Sequence, residues 1–150
     1  MQTLVTFVFK FLAALPLAWL HKLGNLLGGL GFRVLSKDRR RVFENMKLAG
    51  LNPTDEAVKK VFRETAKGGL ELPVAFFRRP EEIENLFVSV NGWEHVQTAL
   101  SAGEGLLFIT PHIGSYDLAG RYISQQLPFP LTAMYKPPKI KAFDAVMQAG

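Results

Sequence analysis

The first 20 residues, MQTLVTFVFKFLAALPLAWL, carry one charged side chain, Lys10. A stretch that apolar must leave water, for lipid or for a protein core, because each buried methylene contributes about 0.8 kcal/mol. About 20 apolar residues suffice for a helix to cross a bilayer. Lys10 near the centre and Pro16 beyond it argue against one uninterrupted span. A second apolar stretch, Leu23–Leu35, follows His21 and Lys22, and its Gly24, Gly28 and Gly31 permit close helix contacts. No charged segment precedes the first run and no cleavage site follows it, so a signal peptide fits poorly. Residues 1–35 are therefore expected to be a membrane-anchoring or interfacial helical segment, with a buried core helix as the competing reading.

Charge supports the membrane reading. Residues 1–50 hold eight Lys/Arg against two acids, residues 51–120 six against ten, and residues 121–150 four against one. The excess sits beside the apolar start, in Lys37–Arg41 (KDRRR), and again after Arg121, which suits an anionic membrane face. A basic run is also commonly no more than a solvated helix face. No basic stretch interleaved with aromatics appears, so nucleic acid is not expected as a partner. The absence of cysteine excludes disulfides, thiolate zinc sites and a cysteine nucleophile.

From Asn52-Pro53 onward the pattern changes. Those two residues and Asp55 resemble a helix start, and Val58, Val61, Phe62 and Thr65 recur at helical spacing. Gly68-Gly69 and Pro73 predict a kink or an end before Phe76-Phe77. Glu81–Asn85 reads as a helix, Leu86–Val90 as a strand closed by Asn91-Gly92, and Trp93–Leu100 as a short helix ending near Gly103. Further strands are expected over Leu106–Ile109 and around Leu131–Tyr135, with a turn at Pro137-Pro138 and a last helix from about Lys141. Strands alternating with helices predict an α/β sheet. The pattern stops at Gly150 without the further units it implies, as in an incomplete α/β domain over residues 36–150.

Within that pattern, Gly105–Asp117 (GLLFITPHIGSYD) carries the chemistry. A buried strand would deliver His112 to a turn, and Asp117 would fall in the first turn of the next helix, along which Leu118, Tyr122 and Ile123 share a face. Histidine titrates near neutral pH and can take a proton from an alcohol, while a carboxylate can hold its ring in the required tautomer. In one regular helix, residues five apart point about 140° away from each other and do not meet. With His112 in the turn instead, the pair can converge. With three histidines and 13 acids in the chain, this spacing is cheap by chance. His112 can equally be a structural histidine, and Asp117 a first-turn acid favoured by the helix dipole. Ser115 does not complete a hydrolase triad, because IGSYD lacks the G-x-S-x-G elbow. His21 and His95 read as interfacial or surface residues, and three scattered histidines with no acid cluster do not make a metal site. Phe76 and Phe77 read as core residues rather than pocket lining.

Three segments resemble the bacterial lipid A biosynthesis acyltransferases of the late lauroyl/myristoyl type. They are LPLAWLHKLGNLLGGLGFRVL with DRRRVFENMKLAGL, NGWEHVQTALSAGEGLLFITPHIGSYD, and MYKPPKIKAFD. The likeness runs through essentially all 150 residues in order. It implies that His112 is the catalytic base and Asp117 its orienting partner, where relatives more often carry Glu. Tyr135 and Lys136 match a substrate-binding tyrosine-arginine-proline block; lysine keeps one charge there but loses arginine's planar fork. The resemblance implies transfer of a fatty acyl chain from an acyl carrier protein thioester to a hydroxyl of a phosphorylated glucosamine lipid. It places the enzyme at the cytoplasmic face of the inner membrane and calls for no cofactor. Arg121, Lys136, Lys139 and Lys141 would hold the acidic partners, and backbone N–H groups near Gly114 or Lys136 would face the oxyanion. The family implies a larger α/β enzyme, of which this chain corresponds to an N-terminal half. The alternative is a non-catalytic, membrane-associated remnant of such an enzyme.

Overall fold

Helix α2 (Leu17–Val34) lies along α4 (Asp55–Phe77) with almost no side chain between them. A Cβ placed on Gly28 would sit 2.5 Å from the Arg63 Cα and 2.6 Å from the Phe62 carbonyl oxygen. One on Gly24 would sit 2.9 Å from the Lys67 Cα. Those two glycines, four residues apart and both buried, let the backbones approach where any side chain would hold them apart. The computed structural model describes residues 2–134 and Asp144.

Helix α1 (Gln2–Ala14) precedes α2 and meets it at a 117° bend around Pro16. Proline has no N–H to continue α1, and its fixed φ suits the start of the next helix. Arg78, the residue after α4, braces this corner: its Nε donates to the Ala13 carbonyl at 2.9 Å and Nη2 to the Leu15 carbonyl at 2.6 Å. A guanidinium there satisfies carbonyls that a helix end leaves unpaired and complements the negative end of the dipole. Phe9 and Phe77 meet edge to face, their ring centroids 6.2 Å apart. Helix α3 (Ser36–Leu48) carries Lys37–Arg41 on an exposed surface, with Arg39 stacked 5.3 Å from the Phe32 ring centroid.

The Thr54 hydroxyl caps α4 by accepting from the Ala57 N–H at 3.2 Å, so the helix begins two residues later than Asn52-Pro53 suggests. It then runs unbroken through Gly68, Gly69 and Pro73 to Phe77, correcting the expected interruption. Packing overrides propensity here: Pro73 and Val74 are fully buried, and Leu70, Val74 and Ala75 belong to the core. Short helices α5 (Pro80–Glu84) and α6 (Trp93–Ser101) follow, then α7 (Tyr116–Gln126). The core gathers Leu20, Val74, Ala75, Ile83 and Leu118, with Tyr122 of α7 stacked on Phe87 at 4.4 Å.

The expected α/β sheet is absent among the described residues. Among the described residues no strand forms at 86–90, 106–109 or 131–134. An apolar run signals only a wish for burial, whereas a strand exists through the neighbour that pairs with its backbone. Here Leu107 and Ile109 are 86% and 88% exposed, and the segment crosses the surface as irregular chain. The Pro137-Pro138 turn and the start of the expected last helix lie outside the described residues.

No single helix among the described residues is long and apolar enough to cross a membrane, although the bent pair Thr3–Ala14 and Leu17–Val34 reaches that length and composition together. Large apolar side chains are exposed along both, including Phe7, Phe11, Trp19, Leu26 and Leu30.

The close approach of α2 to α4 predicts opposite outcomes at neighbouring glycines. Gly28→Ala should cost about 1–3 kcal/mol by forcing the helices apart. Gly29→Ala, with nothing within 4 Å of its Cβ position, should be neutral or stabilising by about 0.5–1 kcal/mol. Chemical denaturation measures both, and equal effects would contradict the packing described.

Candidate active site

A groove of about 810 Å³ runs along the face of α4 that looks toward the start of α7. Lys60, Val61, Glu64, Thr65, Gly68, Glu71 and Leu72 of α4 form one wall. His21 of α2, Met46 of α3 and the segment His112–Asp117 contribute the rest. The wall is partly bare backbone, since nothing lies within 4 Å of a Cβ placed on Gly68 or Gly69.

His112 sits in the irregular chain before α7, exposed, with its ring 4.5 Å from that of Tyr116. Gly114, at φ 65°, turns the chain between them. Asp117 lies in the first turn of α7, half-buried, because Leu118 beside it is drawn into the core. Both residues line the same groove, and no hydrogen bond joins them among the described residues. Burial pushes the Asp117 carboxyl above the usual carboxylate range; the Glu71 charge adds to this, while His112 and the Tyr116 hydroxyl pull it back. Burial likewise raises the Tyr116 phenol, helped by the Asp117 charge.

The other expected residues divide. Arg121, one turn further along α7, is half-buried and does not line the groove; its Nε is buried without a hydrogen-bond partner. Tyr135, Lys136 and Lys139 lie outside the described residues, as does Lys141. Ser115 lines the groove at the N-cap of α7, its hydroxyl buried and unpartnered.

What sequence reasoning missed is His21. Its Nε2 lies 2.6 Å from Oε1 of Glu71, a contact between residues 50 apart in the chain. Two signals were present. His21, Gly24 and Gly28 share one helical stripe, so a glycine face turned to a neighbour carries the histidine with it. Glu71 is also a lone acid in the apolar run Leu70–Phe77. Neither signal names the partner.

The whole chain, residues 1–150, matches the family model for bacterial lipid A biosynthesis acyltransferases. Searches of curated proteins and of solved structures returned no significant match. The chain belongs to the bacterial lipid A biosynthesis acyltransferase family. That assigns it to acyl transfer in lipid A and lipopolysaccharide biosynthesis, with an acyl donor and a lipid A-type acceptor as substrates.

The raised Asp117 carboxyl has a testable sign. A folded state that holds this proton more tightly than the unfolded chain is favoured at low pH, and loses that advantage as pH rises through and above the ordinary carboxylate range. Asp117→Asn carries no such charge. Its melting temperature relative to the parent should therefore climb as pH rises from about 4, near the ordinary carboxylate value, and level off once the folded-state carboxyl is fully ionised. A difference that stays flat or falls in thermal melts would rule out burial as the dominant influence on Asp117.

Proposed function

We propose that this chain moves a fatty acyl group from an acyl carrier protein thioester to a hydroxyl of a phosphorylated glucosamine lipid, with His112 as general base and Asp117 as the carboxylate that orients it. The observation carrying this is the meeting of His112 and Asp117 in one groove, in a chain that belongs to an acyltransferase family. Neutral His112 takes the proton of the acceptor hydroxyl, and the oxygen attacks the thioester carbonyl. The tetrahedral oxyanion then collapses, the carbon–sulfur bond breaks, and the imidazolium returns its proton to the leaving thiolate. No covalent enzyme intermediate is needed. Met46, Ala57, Val61 and Leu72 offer apolar surface to the acyl chain.

Membrane binding is part of the same proposal. The exposed apolar residues of α1 and α2, with the basic α3 beside them, favour a chain lying on the cytoplasmic face of the inner membrane. There, apolar side chains enter the headgroup boundary and lysines and arginines meet anionic lipid.

Purified chain, labelled acyl–acyl carrier protein and a lipid A precursor in detergent should give transfer that His112→Ala lowers about 10²–10⁴-fold. Absence of transfer by the unaltered chain would favour the alternative, a membrane-associated remnant without catalysis. The membrane proposal is tested by substitution, because α2 packs along α4 and its deletion would dismantle the fold. Phe7→Ser, Phe11→Ser and Trp19→Ser together should shift the protein from the membrane to the soluble fraction; unchanged fractionation would end that idea.

A further inference from the structure

The groove holds a second histidine–carboxylate pair that the proposed transfer does not use. His21 and Glu71 come from different helices and meet at 2.6 Å, the short end of charge-assisted hydrogen bonds. Glu71 is 9% exposed, the one charged residue among the buried positions described. Burying a carboxylate is costly unless it is paired, and His21 supplies a partner. A stabilising role alone accounts for this poorly. Helices α2 and α4 are already joined through Gly24, Gly28 and Leu20, and an ion pair at such a position adds little over an apolar pair.

Accessibility points to a ligand instead. The His21 side chain is 37% exposed and lines the groove together with His112. Its bond to Glu71 occupies Nε2, and Nδ1 makes no hydrogen bond to any described residue. In the neutral ring with its proton on Nε2, Nδ1 is an acceptor; in the imidazolium it is a donor. Glu71 sets which nitrogen carries the proton, as a carboxylate does for a histidine that must present its other face. The two pairs share surroundings as well as a wall, because the Asp117 carboxyl feels the charge of both His112 and Glu71. Lys60 lines the groove, is exposed and makes no salt bridge among the described residues, although its charge is felt by Glu64 of the same wall.

We propose that His21, held by Glu71, binds a hydroxyl or amino group of the acceptor beside the hydroxyl that His112 deprotonates, with Lys60 receiving an anionic substituent of the same molecule. The ligand class is a phosphorylated sugar, which offers several polar groups and an anion on one small ring. His21 and Glu71 are thereby binding and positioning residues, not a second base. The inference rests on the groove being the acyl-transfer site.

The chain has three histidines, and His95, exposed on α6, serves as an internal control. Glucosamine 1-phosphate titrated into the detergent-solubilised chain should move the imidazole NMR signals of His21 and His112 along one saturable curve and leave His95 unmoved. His21→Ala should weaken that binding about tenfold, the loss of one charge-assisted hydrogen bond. Glu71→Gln, which keeps an oxygen acceptor without the charge, should weaken it less. Inorganic phosphate alone should bind more weakly and leave His21 unmoved. A shift of His112 without His21 overturns the inference and spares the transfer site; a shift of His21 without His112 overturns the shared site. Movement of neither overturns both. The titration of the unaltered chain decides the matter even where His21→Ala fails to fold.

Discussion

Everything in this structure hangs on the contact of α2 with α4 at Gly24 and Gly28. A Cβ at Gly28 would meet the Arg63 backbone at 2.5 Å, so the approach exists only because there is none. That approach sets the rest of the molecule in place. It buries Leu20 against Val74, brings the end of α1 to where Arg78 can hold the Ala13 and Leu15 carbonyls, and aligns His21 with Glu71. It also explains why α4 persists through two glycines and a proline that would weaken it alone. A helix clamped along one side and buried at Val74 and Ala75 is held by its neighbours more than by its own propensity.

The candidate site is built on the opposite principle. Its α4 and α2 wall is close-packed helix, whereas His112 comes from irregular, exposed chain that leads into α7, where Leu118 is buried. The groove between the helical wall and His112 leaves room for a substrate, and charge is distributed across it. Asp117 is held above its usual range by burial and by Glu71, and His112 opposes both. In the proposed transfer the base is the exposed member, and the groups that set its surroundings are the buried ones.

That His112 and Asp117 could come to one side of the chain was legible in the sequence; that the apolar runs would not pair into the expected sheet was not. The His112–Asp117 spacing is a local feature: a turn followed by a helix start determines that both side chains reach one side of the chain, and Leu118 and Tyr122 at helical spacing determine which way α7 faces. Leu106–Ile109 is different. Apolar content can be read from a single segment, but pairing belongs to two, and a run that would suit a buried strand stays irregular where none of the described residues forms a strand beside it. Asn52-Pro53 was a similar case on a small scale, since Thr54 two residues later is the cap whose hydroxyl reaches the Ala57 N–H.

By itself, then, the sequence determined what depends on neighbours along the chain: a helical segment over residues 1–35 interrupted near Pro16, the helices α6 and α7, the basic run Lys37–Arg41, the place of His112 just before a helix start and of Asp117 in its first turn, and the family. Tertiary structure alone decided what depends on distant residues. Gly24 and Gly28 signalled a close contact without naming α4, and Arg78 gave no sign of the corner it braces. His21 and Glu71, 50 positions apart, met only because two backbones could touch. Periodicity and capping are properties of a few consecutive residues, whereas a partner across the fold is chosen by packing, which no single segment contains.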